Sequence, residues 1–360
     1  MSVFNLFRQD LAQLSRRDFL KLSGGALFAL FGLPVGRSWA NPAGQIRQPG
    51  LERPCLGRVL SQSSALLEQP SFSARQLRSL ERDLVLPVTG ITLGDEQPAH
   101  NRFWYELNGE GFMHAGLVQP VENRVNEVVT RVLKKGQPVQ VTVPYTDAVW
   151  NFRDPSRVVF RLYYGSIFWL TAVNVDAQGQ RWYYLSDDPT ASLMYYAKAE
   201  HFHAFSEDEL APISPDVPLK DKRIEVRLAD QLVVAYEYNQ PVFMSRAATG
   251  AVFGDKIFTT PRGDYITNYK FPARHMTHND NLDVNAHDLP GVPWVCFITA
   301  NGIAFHGTYW HNDYGRPRSH GCINLNLDAA EWIYRWTQPT VPLDERAWLV
   351  RSATRVDVMN

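Results

Sequence analysis

Val295-Cys296-Phe297-Ile298-Thr299-Ala300-Asn301-Gly302-Ile303-Ala304-Phe305-His306 is the stretch on which the fold class turns. Two apolar runs flank a short polar joint ending in Asn-Gly, the pair that a tight hairpin turn prefers. Upstream, Lys222-Arg223-Ile224-Glu225-Val226-Arg227-Leu228 alternates polar and apolar residues as a half-buried strand does. Ala229-Asp230 supplies a turn and Gln231–Glu237 the next strand, so a second hairpin opens this β-rich region. The Pro-containing run Ala211–Pro218 marks its upstream boundary. Downstream, one helix is predicted, with Asp328 as N-cap, Glu331 closing a capping box, and Trp332, Ile333 and Trp336 sharing a face. The chain is therefore expected to be mainly β, with one short helix after Cys322.

The preceding text has the same rhythm. Leu84–Val88, Phe103-Trp104-Tyr105-Glu106-Leu107 and Phe112–Ala115 are short apolar runs broken by turn residues. A similar series returns in Phe168–Val173, Trp182-Tyr183-Tyr184-Leu185 and Tyr195–Lys198, which suggests a degenerate repeat. The expected layout is an export signal over 1–40, a linker over 41–55, small β barrels over 56–122 and 139–205, and a β-sandwich-like domain over 218–352. The stretch Gly111-Phe112-Met113-His114-Ala115-Gly116-Leu117-Val118-Gln119-Pro120-Val121 resembles the closing strand of bacterial SH3-type domains. That resemblance implies cell-wall or partner binding; a spacer holding the last domain off the membrane is the competing reading.

Composition narrows the function classes. The 360 residues carry a net charge of −1, 45 % are apolar and 20 % charged, so no basic face for nucleic acid is expected. The 10 Trp, 15 Tyr and 19 Phe are first a core signal and second a carbohydrate-facing one. Three cysteines, Cys55, Cys296 and Cys322, do not make a disulfide scaffold. Cys296 lies in an apolar strand and reads as buried and inert, and a Cys55–Cys296 pair has no support in the sequence. At the N-terminus, Ser15-Arg16-Arg17-Asp18-Phe19-Leu20-Lys21 precedes an apolar run from Leu22 to Val35 and then Ser38-Trp39-Ala40. This resembles a twin-arginine export signal and implies a protein exported to the periplasm or the outer face of the cytoplasmic membrane.

The chemistry lies between His306-Gly307-Thr308 and Ser319-His320-Gly321-Cys322-Ile323-Asn324-Leu325. A cysteine attacks only as its thiolate, so it needs a base or a cation nearby. His320 stands two residues before Cys322 and His306 sixteen before, at the end of an apolar strand run. Histidine suits proton transfer near neutral pH. Gly321 bares the backbone, so the amides of Gly321 and Cys322 are candidate oxyanion donors.

This pattern resembles the active-site signature of L,D-transpeptidases with the YkuD-type catalytic domain. The resemblance implies Cys322 as nucleophile, His306 as base, the Gly307 carbonyl orienting the imidazole, and His320 lining the site and tuning the thiolate. It implies that Ser319 fixes the turn; Ser319, Asn324, Trp310 and Arg318 are also substrate-contact candidates. Asn324 stands where Arg is frequent in that family. A flap tyrosine is not placed, because spacing selects neither Tyr265 nor Tyr269. The implied reaction is peptidoglycan 3→3 cross-linking through a thioester, without metal or organic cofactor, acting on stem peptides and sensitive to carbapenems. Hydrolysis as an L,D-carboxypeptidase, or an exchange or attachment reaction, uses the same acyl-enzyme. A non-catalytic wall-binding protein is the reading from another class. His275, His278 and His287, with Asp280, Asp283 and Asp288, sit in a Gly- and Asn-rich loop and are not expected to hold a metal, nor are His201 and His203. Oligomeric state is not readable.

Overall fold

The computed structural model describes residues 55–186, 193–278, 287–345, 348–349 and 352–360. The export signal, nearly all of the linker, Asp280 and Asp283 lie outside the described residues, as do the side chains of His278 and His287.

The first sheet contains β1 (Cys55–Val59), β2 (Ser63–Leu67), β3 (Gln76–Glu81), β4 (Val85–Leu93), β5 (Phe103–Leu107), β6 (Gly111–His114) and β7 (Val118–Val121). Their order is β3-β2-β6-β5-β4-β1-β7. The second contains β8 (Gln137–Val141), β9 (Tyr145–Val149), β10 (Val158–Tyr163), β11 (Ile167–Val175), β12 (Arg181–Ser186), β13 (Tyr195–Lys198) and β14 (Phe202–Ala204). Its order, β10-β9-β13-β12-β11-β8-β14, repeats the first strand for strand. Trp104 and Trp182 occupy matching strands, and a 3-10 turn, Ala115–Leu117 or Ala199–His201, precedes the last strand of each. Each sheet has its own core, Val59, Leu80 and Met113 in one and Val141, Leu170 and Tyr195 in the other.

The small closed barrels expected from the sequence are corrected to open sheets. Among the described residues β3 pairs only with β2 and β7 only with β1, so the edges do not join. In the first sheet the polarity of β3 suits an open edge: Gln76, Arg78 and Glu81 leave it exposed everywhere except Leu80, a pattern that blunts an edge strand.

The C-terminal region comprises β15 (Lys222–Arg227), β16 (Leu232–Glu237), β17 (Gln240–Arg246), the small hairpin β18 (Val252–Phe253) and β19 (Lys256–Ile257), β20 (Gly263–Ile266), β21 (Tyr269–His278), β22 (His287–Phe297), β23 (Ala304–Gly307), β24 (Ile323–Leu325), α1 (Leu327–Trp336), β25 (Trp348–Leu349) and β26 (Arg355–Met359). Two five-stranded sheets, β17-β16-β15-β26-β20 and β24-β23-β22-β21-β25, share one core with α1. Ile224, Val233 and Val356 come from the first sheet, Trp294, Phe305 and Ile323 from the second, and Ile333 and Trp336 from the helix. The strand β26, past residue 352, lies between β15 and β20. Cys296 is fully buried in this core, and neither it nor Cys55 forms a disulfide.

The helix begins earlier than its sequence suggests. Asn326 caps it, its Oδ1 accepting from the Ala329 amide at 2.8 Å, so Asp328 falls inside the first turn. Glu331 is then too far along to close a capping box and pairs instead with Arg335 at 3.0 Å. At the other end Lys270, wholly buried, donates to the carbonyls of Tyr334, Thr337 and Pro339 at 2.5, 2.9 and 2.7 Å. Lys222 adds a bond to the Trp336 carbonyl at 3.2 Å. Two ammonium groups thus serve the carbonyls that a helix end leaves without partners. Lys270→Met is expected to leave three buried acceptors unserved and to destabilise the fold by about 2–4 kcal/mol. Thermal unfolding checks this against the exposed control Lys220→Met; equal melting temperatures would remove the capping role.

Candidate active site

Parallel pairing of β23 with β24 sets the site. Phe305 lies opposite Ile323, His306 opposite Asn324 and Gly307 opposite Leu325. Phe305, Ile323 and Leu325 face the shared core. By alternation His306 and Asn324 take the other face, and Cys322, next to Ala304 in the extended register, shares it. Strand spacing and rise then put the Cα atoms of Cys322 and His306 roughly 8 Å apart, a gap the two side chains span.

His306 is 2 % exposed, and its Nδ1 lies 3.0 Å from the carbonyl of Gly307. Donation from Nδ1 leaves the lone pair on Nε2, the tautomer a base needs. A side chain at Gly307 would meet Pro293, Leu327 and Ala330, so glycine is what lets α1 close on this strand. Trp310 leans on His306, its ring 5.7 Å from the imidazole.

Cys322 keeps partial exposure, and its thiol donates to the Gly302 carbonyl at 3.5 Å. Desolvation pushes that thiol up to about 11, the Ala304 amide acting the other way. Gly321 has φ +112, a conformation that glycine adopts without strain.

The other candidate residues have these surroundings. The amide of Gly321 donates to Ser319 Oγ at 3.1 Å, so it is occupied and of the two candidate oxyanion donors leaves only Cys322. Ser319 is buried and spans the turn, its hydroxyl also donating to the Cys322 carbonyl at 2.5 Å, so it braces the backbone at Cys322. Asn324, 3 % exposed, is likewise no surface contact: its amide lies 3.0 Å from His311 Nε2. Arg318 is held by Asp313 at 3.3 Å. The His320 ring packs between Phe253 and Phe258, at 4.7 and 4.6 Å, which ties it to the β18–β19 hairpin. Of the two flap tyrosines, Tyr265 spends its hydroxyl on the carbonyls of Pro261 and Arg262, and Tyr269 packs on Phe271.

Sequence reading missed His311. It is buried, and burial first, then Arg318, lowers its pKa to about 3, so it is neutral in working conditions. The Asp313 amide donates to its Nδ1 at 3.3 Å, which leaves the proton on Nε2. Asn324 Nδ2 lies 3.0 Å from that nitrogen while its Oδ1 has no partner, so exchanging the two ends of the amide gives the ring proton an acceptor. The only hint in the text was a second histidine five residues after His306.

The remaining histidines are placed elsewhere. His275 pairs with Asp288 across β21–β22 and abuts Phe160. His201 bonds Thr146, and His203 bonds Glu209.

Fold and site together define a β-rich domain presenting a cysteine and a histidine on one sheet face. Residues 221–358 match the family model of the YkuD L,D-transpeptidase catalytic domain. Solved structures similar to this chain include a mutant of the Enterococcus faecium L,D-transpeptidase, with 21 % identity and a TM-score of 0.30, covering 39 % of this chain and 50 % of that one. Another is the L,D-transpeptidase from Mycobacterium smegmatis, with 17 % identity and a TM-score of 0.31, covering 67 % of this chain and 100 % of that one. A third is the L,D-transpeptidase from Xylanimonas cellulosilytica, with 22 % identity and a TM-score of 0.26, covering 38 % and 60 %. The chain thus spans about half the length of the Enterococcus structure. No curated protein matches the sequence.

Proposed function

We propose that this chain is an exported peptidoglycan L,D-transpeptidase forming 3→3 cross-links through a thioester on Cys322. The observation that carries the reading is the shared sheet face of Cys322 and His306, with His306 Nδ1 tied to the Gly307 carbonyl. The thiol rotates from the Gly302 carbonyl toward His306, and Nε2 takes its proton as sulfur attacks the carbonyl of the third residue of a donor stem. The Cys322 amide receives the oxyanion. His306 returns the proton to the departing D-Ala amine, and the thioester remains. The side-chain amine of a second stem then attacks, His306 accepts its proton, and the Cys322 sulfur leaves and recovers a proton.

In this reading residues 1–40 are the twin-arginine address, 56–122 and 139–205 are SH3-like domains facing wall polymer, and 218–352 is the catalytic domain, extended by β26. Incubation of the purified protein with tetrapeptide muropeptides, read by mass spectrometry, is expected to yield 3→3 dimers and a Cys322 acyl adduct. Trimmed monomers alone would make water the acceptor, and no adduct on Cys322 would sink the thioester route.

A further inference from the structure

The loop between base and nucleophile is held by the first β sheet. Arg58, on β1, is 1 % exposed. Its Nη2 donates to the Tyr309 carbonyl at 2.5 Å, its Nη1 to Asp83 at 2.8 Å, and its Nε and Nη2 to Gln119 Oε1 at 3.1 and 2.7 Å. The guanidinium lies 4.1 Å from the centre of the Tyr163 ring, which stacks in turn on Tyr309 at 5.5 Å. One buried cation therefore joins both N-terminal sheets to the residue next to Trp310, whose ring backs His306. Two further ties act on the same loop: Asn312 Nδ2 donates to the carbonyls of Ala115 and Val118 at 3.2 and 3.1 Å, and His100 meets Asp313 at 3.0 Å. Burying a guanidinium this completely costs several kcal/mol before its bonds repay it, and an apolar joint would serve a spacer as well. What the planar fork adds is direction.

We propose that Arg58 is a positioning residue for the Cys322–His306 pair, setting Tyr309 and hence the Trp310 ring against the base, so that the first β sheet is a working part of the active site. This rests on the reading of Cys322 and His306 as the reacting groups.

The test uses the full chain and a carbapenem as probe, measuring the rate of Cys322 acylation per titrated thiol across pH. Arg58→Lys keeps the charge and loses the fork; it is expected to lower the maximal rate about 10- to 100-fold and to displace the pH profile, with adduct formation still complete. A merely structural role would lower the melting temperature and leave both rate and profile unchanged, which would overturn the proposal. Asn312→Ala, which removes two loop ties without disturbing a buried charge, gives the same readout if Arg58→Lys does not fold. A wild-type rate in Asn312→Ala would then overturn it. Cys322→Ala separates the two levels: if it still takes up the probe, the reading of the reacting pair fails; if it is inert while Arg58→Lys reacts normally, only the positioning role falls.

Discussion

Cys322→Ala is expected to abolish acyl transfer while leaving the fold in place. The residue precedes β24, keeps partial exposure, and gives up its contact with the Gly302 carbonyl and, beside it, the Ala304 amide. Loss of those contacts should change stability by no more than about 1 kcal/mol. In the proposed scheme the sulfur carries the acyl group, so the rate should fall by at least about 10³-fold without it. His306→Ala should fall by about 10²–10⁴-fold, because the proton then has no acceptor of suitable basicity. The double variant should be little worse than Cys322→Ala alone, since the two act as a unit. Turnover of defined muropeptides and thermal melts of the same samples check all three. A Cys322→Ala protein that still forms dimers would remove the nucleophile from the scheme.

The second large effect concerns pH. A thiol pushed up to about 11 is protonated near neutral pH, so the free protein is expected to hold Cys322 as the thiol. Alkylation of Cys322 by iodoacetamide follows its thiolate fraction and should climb about tenfold per pH unit between neutrality and about pH 10. A preformed imidazolium–thiolate would instead plateau near neutrality, and that plateau would overturn the resting state described here. The sign for stability follows from the same shift. The folded thiol holds its proton above the unfolded value of 9.0, so this group's contribution is complete below that pH and is lost as pH rises toward about 11.

The candidate site was legible because its residues are close in sequence. Asn301-Gly302 marks a hairpin, and β22 does meet β23 there, Cys296 opposite Phe305 and Phe297 opposite Ala304. His306 and Gly307 are adjacent, so the Nδ1 contact to the Gly307 carbonyl is a local matter. The Trp-Tyr repetition is matched by one strand order used twice. The helix start was misread by two residues because Asn326 and Asp328 are both competent caps, and only the backbone path selects between them. Ser319 does hold the turn, through the Gly321 amide and the Cys322 carbonyl, whereas the burial of Asn324 beside His311 depends on tertiary packing and has no local signal.

The sequence by itself determined a mainly β chain, a helix after Cys322, and a candidate pair of Cys322 with His306. These follow from periodicity, turn chemistry and spacing within about twenty residues, where the chain has little freedom to rearrange. Only the tertiary structure decided that the sheets stay open, that the Gly321 amide is occupied, and that Arg58 reaches Tyr309 across 251 positions of sequence. Such contacts are selected by the packing of whole sheets against one another, and no local pattern of residues encodes which buried donor will meet which distant carbonyl.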